Sequence, residues 1–211
     1  MSTKGKAGLV CLALGAAMLI GALGLFQSNR HEALEAETAS REVMTQLAEV
    51  IASHPNNTSP MPDEPVTALS PDVLPPTDTT MDAVEIDGNR YVGFLTIPAL
   101  ELELPVMEEW DYDRLKTAPC RYSGTLLRGD LVIAAHNYLR HFGHLAELAI
   151  GSEVLFTDIY GDSTRYRVAE LEILRPTEVE YMTAGDYDLT LFTCTYGGAT
   201  RFTVRCVRED G

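Results

Sequence analysis

The residues of this chain best placed for covalent chemistry lie between Leu189 and Cys206, in Leu-Thr-Leu-Phe-Thr-Cys-Thr-Tyr-Gly-Gly-Ala-Thr-Arg-Phe-Thr-Val-Arg-Cys, where a thiol and two guanidinium groups sit on the arms of a predicted hairpin. Leu189 to Thr193 and Phe202 to Val204 are β-formers, and Gly197-Gly198 between them suits the positive φ angles of a tight two-residue turn. That turn pairs Tyr196 with Ala199, Thr195 with Thr200 and Cys194 with Arg201. Directly opposed residues of an antiparallel pair have Cβ atoms about 4.5 to 5.5 Å apart on one face, which sets a cation beside the Cys194 sulfur. Arg205 shares that face but opposes Thr190, about 13 Å further along the strand. Arg201 is therefore the arginine expected to act.

His136 closes the apolar run Leu131-Val132-Ile133-Ala134-Ala135, at the end of a predicted strand and facing a loop. A thiol at a strand end has no helix dipole to lower its pKa, so its activation falls to a neighbouring histidine and arginine. Cys194, His136 and Arg201 together supply a nucleophile, an acid/base and an oxyanion donor for acyl transfer. Each has a plainer reading alone: free cysteine is commonly a small buried hydrophobe, and a loop histidine is commonly solvated. A zinc reading of His136, His141 and His144 is weaker, because H-x4-H-x2-H carries no matched Cys pair or HExxH pattern and the Phe142-Gly143 turn scatters the ligands.

The elements that must hold these residues follow from the rest of the chain. Ala7 to Phe26 is an uncharged, mostly apolar run preceded by Lys4 and Lys6, and 20 residues at about 1.5 Å each span a hydrocarbon core of roughly 30 Å. It reads as one transmembrane helix, with residues 1–6 in the cytoplasm and the remainder outside, since no further cation occurs before Arg30. A cleaved signal peptide is the alternative, but the run is long for one and no small-x-small site follows Phe26. Residues 27–54 read as a juxtamembrane helix that acts as a spacer. Residues 55–82 hold seven prolines and no aromatic residue and read as a flexible stalk. Residues 83–211 form the one globular domain, with strands expected at Tyr91–Ile97, Leu102–Met107, Asp130–Ala135, Glu153–Asp158, Ser163–Leu174 and the two hairpin arms. Short helical turns are expected at Asp111–Lys116 and His144–Leu148, which makes the class all-β, a barrel or sandwich with minor helical connections.

Charge and cysteine count exclude some functions. The net charge is -15, and residues 30–82 hold two arginines against ten acids. A nucleic-acid or anionic-lipid partner wants clustered cations, so neither is expected. The four cysteines make no disulfide framework at this length: Cys11 lies in the membrane run, Cys120 and Cys206 could pair, and one free thiol is left whichever pairing is drawn.

Thr190-Leu191-Phe192-Thr193-Cys194 resembles the T-L-x-T-C signature of sortases, and Arg201 follows at the hairpin position of the sortase arginine. Val132-Ile133-Ala134-Ala135-His136-Asn137 is similar to the histidine strand of that family. Val92-Gly93-Phe94-Leu95-Thr96-Ile97-Pro98 with Leu104-Pro105-Val106 is similar to its opening strands, and Tyr122-Ser123-Gly124-Thr125 to the segment before the histidine. The resemblance spans residues 85 to 208. It implies an eight-stranded β-barrel and a cysteine transpeptidase in which Cys194 attacks an LPxTG-like sorting signal, Arg201 stabilises the oxyanion and His136 protonates the departing amine. The partners implied are a sorting-signal peptide and an amine acceptor, such as a peptidoglycan precursor or a pilin lysine.

The resemblance implies no metal or organic cofactor. Glu101, Glu103, Glu108, Glu109, Asp111 and Asp113, with Glu178 and Glu180, resemble the acids of calcium-assisted members, although charge runs are usually solvated faces. Asn137 stands where many housekeeping members carry arginine, so no class is assigned. Two rivals remain open. An L,D-transpeptidase also uses Cys, His and Arg, but its S-H-G-C core is absent. A non-catalytic, membrane-tethered β-domain that binds pilin or wall polymer would make the three residues incidental.

Overall fold

A computed structural model describes residues 3–53, 80–183 and 187–209; within the N-terminal helix the side chains of residues 3–11, 28–29, 32–33 and 35–36 lie outside that description. The expected stalk falls outside the described residues except for 80–82.

The strands are β1 (Val84–Ile86), β2 (Asn89–Ile97), β3 (Leu102–Met107), β4 (Cys120–Ser123), β5 (Leu131–Ala135), β6 (Glu153–Asp158), β7 (Ser163–Leu174), β8 (Leu189–Cys194) and β9 (Arg201–Arg208). They form one sheet in the order β1-β2-β3-β4-β5-β8-β9-β7-β6, and pairing of β2 with β6 closes it. Eight strands, β2 to β9, thus make the expected barrel, and β1 is a short arm folded onto β2. Closure leaves the eight barrel strands with few free edges. Against β3, β2 bulges between Tyr91 and Gly93, where its pairing with β6 begins. Gly93 has φ 144°, and a Cβ there would lie 2.1 Å from the Thr157 carbonyl oxygen, so only glycine lets β2 close on β6.

The barrel interior is filled by alternate residues of each strand, among them Leu95, Val106, Ile133, Phe156, Leu191 and Val204. Phe142 and Leu145, from the loop after β5, join the same core. The strand β5 is buried throughout, because its outward residues are covered as well: Val132 lies under Leu174 and Met182, and Ala134 belongs to a second cluster outside the barrel.

That second cluster is built by the helix α1 (Thr3–Ser53), which runs unbroken through the expected anchor and juxtamembrane segments. Val43 and Leu47 are buried against Ile86, Tyr91, Met107, Leu115 and Ala118. Ser40 Oγ donates to the Thr117 carbonyl at 3.0 Å and Gln46 Nε2 to Asp87 at 3.1 Å. The last turns of α1 are therefore docked rather than spacing: residues 40, 43 and 47 fall on one face at helical period, a stripe too narrow to stand out in the sequence. Among the described residues no helix is long and apolar enough to cross a membrane. The large side chains of Leu12 to Phe26 are 58–76% exposed on α1.

Candidate active site

Three neighbouring strands converge on the candidate site. β5 runs parallel to β8 with Ala135 opposite Thr193, and Thr193 Oγ1 donates to the Ala135 carbonyl at 2.9 Å. The residues that follow are His136 and Cys194, so the register brings together positions 58 apart in sequence. β8 runs antiparallel to β9, and Cys194 is the residue opposite Arg201, as the hairpin reading requires. Adjacent strands lie about 4.8 Å apart, and registered positions share a face. His136, Cys194 and Arg201 thereby form a row across three strand ends, on the outer face shared by Val132, Ala134, Thr190 and Phe192.

The loop at the hairpin tip differs in detail from the expected two-residue turn. Gly197 and Gly198 do take φ 80° and 74°, but the Gly198 N–H donates to the Thr195 carbonyl at 2.8 Å, which closes a β-turn over Thr195 to Gly198 with Gly197 at its left-handed position. Thr195 N–H donates to the Thr200 carbonyl at 3.0 Å and the two hydroxyls meet at 2.8 Å. These bonds close a wider loop, and the Tyr196–Ala199 pair does not form; the strand ladder ends at Cys194 and Arg201.

The row opens into a cavity of about 210 Å³. Its apolar lining comes from Trp110, Leu115, Tyr122, Phe192, Val179 and Met182, and His136, Cys194 and Arg201 are among its polar lining, with Arg175 and Glu178. Tyr122 contacts Trp110 and Phe192 edge to face, at 5.8 and 5.2 Å between centroids. An apolar slot with a few convergent polar groups is the form of a site for an extended ligand with apolar side chains. Sequence reasoning missed this lining. Trp110, the single tryptophan, sits in an acidic loop, and Val179 and Met182 come from a five-residue helix α2 (Val179–Thr183) in a segment that contains Pro176.

Burial separates the thiols. Cys120 and Cys206 are buried and free, and burial pushes both thiols up to about 12, which keeps them protonated. Cys206 faces the barrel interior while Cys120 lies in the cluster outside it, so the pairing entertained for them is not made. Cys194 is the half-buried thiol, set at the cavity. Arg201 is half-buried beside it, and its Nη1 donates to the Gly198 and Thr200 carbonyls at 3.1 and 3.2 Å. Its Nε and Nη2 make no hydrogen bond among the described residues, which leaves a fork of donors for a ligand oxygen.

The three histidines do not converge on a metal. His136 lies 4.9 Å from the Tyr138 ring, His141 is fully buried, and His144 Nδ1 meets Glu147 at 2.5 Å. Burial first, then the nearby His136, lowers the His141 pKa to about 4 against an opposing backbone interaction with Thr117. Four of the eight acids considered for calcium are taken up singly: Glu108 by Arg90, Glu109 by Arg114, Asp113 by Lys116 and Glu178 by Arg175. Among the described residues no three metal-ligating side chains come together.

A family model of the sortase domain matches residues 95–209, more than half of the chain. The chain belongs to the sortase family. Solved structures agree. Sortase A from Corynebacterium diphtheriae shares the fold at 22% identity and TM-score 0.52, over 58% of this chain and 62% of its own. Sortase C1 of GBS pilus island 1 does so at 24% and 0.52, over 57% and 65%, and sortase C1 from Streptococcus suis at 27% and 0.51, over 57% and 74%. This sortase thus spans less than two thirds of the first two chains. No curated protein matches it.

Proposed function

We propose that this sortase is a membrane-anchored cysteine transpeptidase that cleaves an LPxTG-like sorting signal and transfers the new C-terminus to an amine. The observation that carries the reading is the row His136, Cys194, Arg201 at the mouth of an apolar cavity, in a chain that belongs to the sortase family. The Cys194 thiolate attacks the carbonyl carbon of the threonine, and the free Nε and Nη2 of Arg201 receive the oxyanion. Collapse of the adduct breaks the threonine–glycine C–N bond while His136 gives its proton to the departing nitrogen. The thioester is then opened by an amine, from a cell-wall precursor or a pilin lysine, or by water, with His136 taking the proton back. No step requires a metal or an organic cofactor. The exposed apolar side chains from Leu12 to Phe26 and the lysines before them support an anchor in the cell membrane, amino end inside and barrel outside.

The test uses the full chain in protoplasts of an expressing host, with an LPxTG-like peptide and hydroxylamine supplied outside. Peptide hydroxamate should form, and Cys194→Ala should abolish it. Turnover retained in that variant sinks the cysteine mechanism, and hydroxamate formed only after permeabilisation overturns the outward orientation.

A further inference from the structure

Arg205 is 3% exposed, yet it carries a guanidinium, and its partners account for the burial. Its Nε donates to Glu172 on β7 at 2.6 Å, Nη1 to the Met182 carbonyl at 2.9 Å and to Thr190 Oγ1 at 3.0 Å, and Nη2 to the Tyr181 carbonyl. Tyr187 lays its ring 5.5 Å from the guanidinium carbon, with its own hydroxyl on Glu170. Two of these acceptors are main-chain carbonyls at the C-terminal end of α2, the end where a helix leaves carbonyls without partners. Charge-assisted bonds from a rigid fork are the strongest available for that task.

α2 is a wall of the cavity, since Val179 and Met182 line it together with Cys194 and His136. Five residues do not hold a helix by themselves. At its start, the Arg175 N–H and guanidinium donate to the Glu178 carboxylate, and the Glu178 carbonyl accepts from the Met182 N–H; among the described residues these bonds stay within the segment and do not fix it to the barrel. The described ties between α2 and the barrel are the burial of Met182 over Val132 and Leu174, a Thr203 hydroxyl on its sulfur at 3.8 Å, and the Arg205 clamp.

We propose that Arg205 is a positioning residue for substrate binding: from the barrel wall it pins α2, and so sets the apolar side of the cavity that grips the sorting peptide. The proposal rests on the transpeptidase reading for the identity of the ligand. Arg205 touches neither the thiol nor the scissile bond, so its loss acts on binding and not on the chemical step.

The test compares Arg205→Met with the double variant Arg205→Met/Glu172→Met, which removes the clamp without leaving a buried carboxylate alone. Full chains in detergent are assayed with an LPxTG-like peptide and hydroxylamine. Binding is read separately in the Cys194→Ala background from the fluorescence of Trp110, the single tryptophan and a cavity residue. In the folded double variant KM and the binding constant should both rise by about tenfold or more, with kcat and the rate of Cys194 alkylation by iodoacetamide within about threefold of the parent. Unchanged KM and peptide binding overturn the proposal, as does a fall in kcat and alkylation without a change in binding. A double variant that does not fold assigns Arg205 to the barrel itself and also overturns it. Failure of the parent chain to bind or turn over the peptide is a different result, and it removes the transpeptidase reading instead.

Discussion

Arg201 and Arg205 stand on the same face of β9, four residues apart, and each faces a residue of the Thr190-to-Cys194 segment: Arg205 opposite Thr190, Arg201 opposite Cys194. Around Arg205 the barrel supplies a carboxylate, a hydroxyl and two carbonyls, and four hydrogen bonds occupy the guanidinium. Around Arg201 the only acceptors among the described residues are two loop carbonyls, both on Nη1. A guanidinium with every edge occupied can hold structure but has nothing left to offer a reaction. One held by a single nitrogen is oriented and still has donors for a charge that appears later. The two ends of one hairpin thus divide the labour of a cavity, the tip stabilising the reacting oxygen and the base fixing the wall.

The largest effect that tests this division is on turnover. Arg201→Ala should lower kcat by about 10² to 10³-fold, the range for loss of one oxyanion donor, and leave the thermal midpoint near the parent's. Arg205→Ala should show the reverse balance, with a lower midpoint and far less loss of kcat. Equal losses of kcat in the two variants would break the comparison, since both arginines would then act on the chemistry.

Two histidines repeat the contrast, His136 lining the cavity and His141 fully buried. Because the native pKa of His141 is lowered to about 4 from an ordinary 6.5, both states are neutral above pH 6.5 and its contribution to stability is full there. Between pH 6.5 and about 4 the unfolded chain takes up a proton that the native state refuses, and stability falls by ~3 kcal/mol over that window. Below it the group contributes no further slope. Chemical denaturation of the parent and of His141→Phe should differ in that slope, with kcat retained at neutral pH. An identical slope would mean that His141 is not the buried group described, and that the two histidines are less distinct than the two arginines.

Much of the barrel was legible because its strands are short β-forming runs bounded by turn residues, and β3, β6 and β7 begin and end where those runs do. The row of site residues was legible for a related reason: a strand end, a turn and a register can each be read locally, and Cys194 opposite Arg201 follows from the position of the glycines alone. What escaped depends on contacts distant in sequence. β4 is four residues, Cys-Arg-Tyr-Ser, too short to show a period and held by Ile133 and Ala134 of β5. The docking face of α1 needs only residues 40, 43 and 47, hidden in an Ala- and Glu-rich helix. Arg205 reads in the sequence as a surface charge, because nothing local announces that Glu172, Tyr181 and Met182 will surround it.

The smallest test reaches the border between the two arginines. Thr190 is buried, opens the Thr-Leu-Phe-Thr-Cys segment and accepts a hydrogen bond from Arg205 on the strand that ends in Cys194. Thr190→Val keeps the shape and removes one acceptor, so Nη1 retains the Met182 carbonyl and loses its second partner. A buried donor left unpaired costs about 1 to 2 kcal/mol, which denaturant midpoints resolve. If the base of the hairpin serves only the wall, that loss should come with an unchanged kcat and a modestly raised KM. A fall in kcat at full stability would instead show that strain at Thr190 travels four residues along β8 to the thiol, and that tip and base of the hairpin act as one unit.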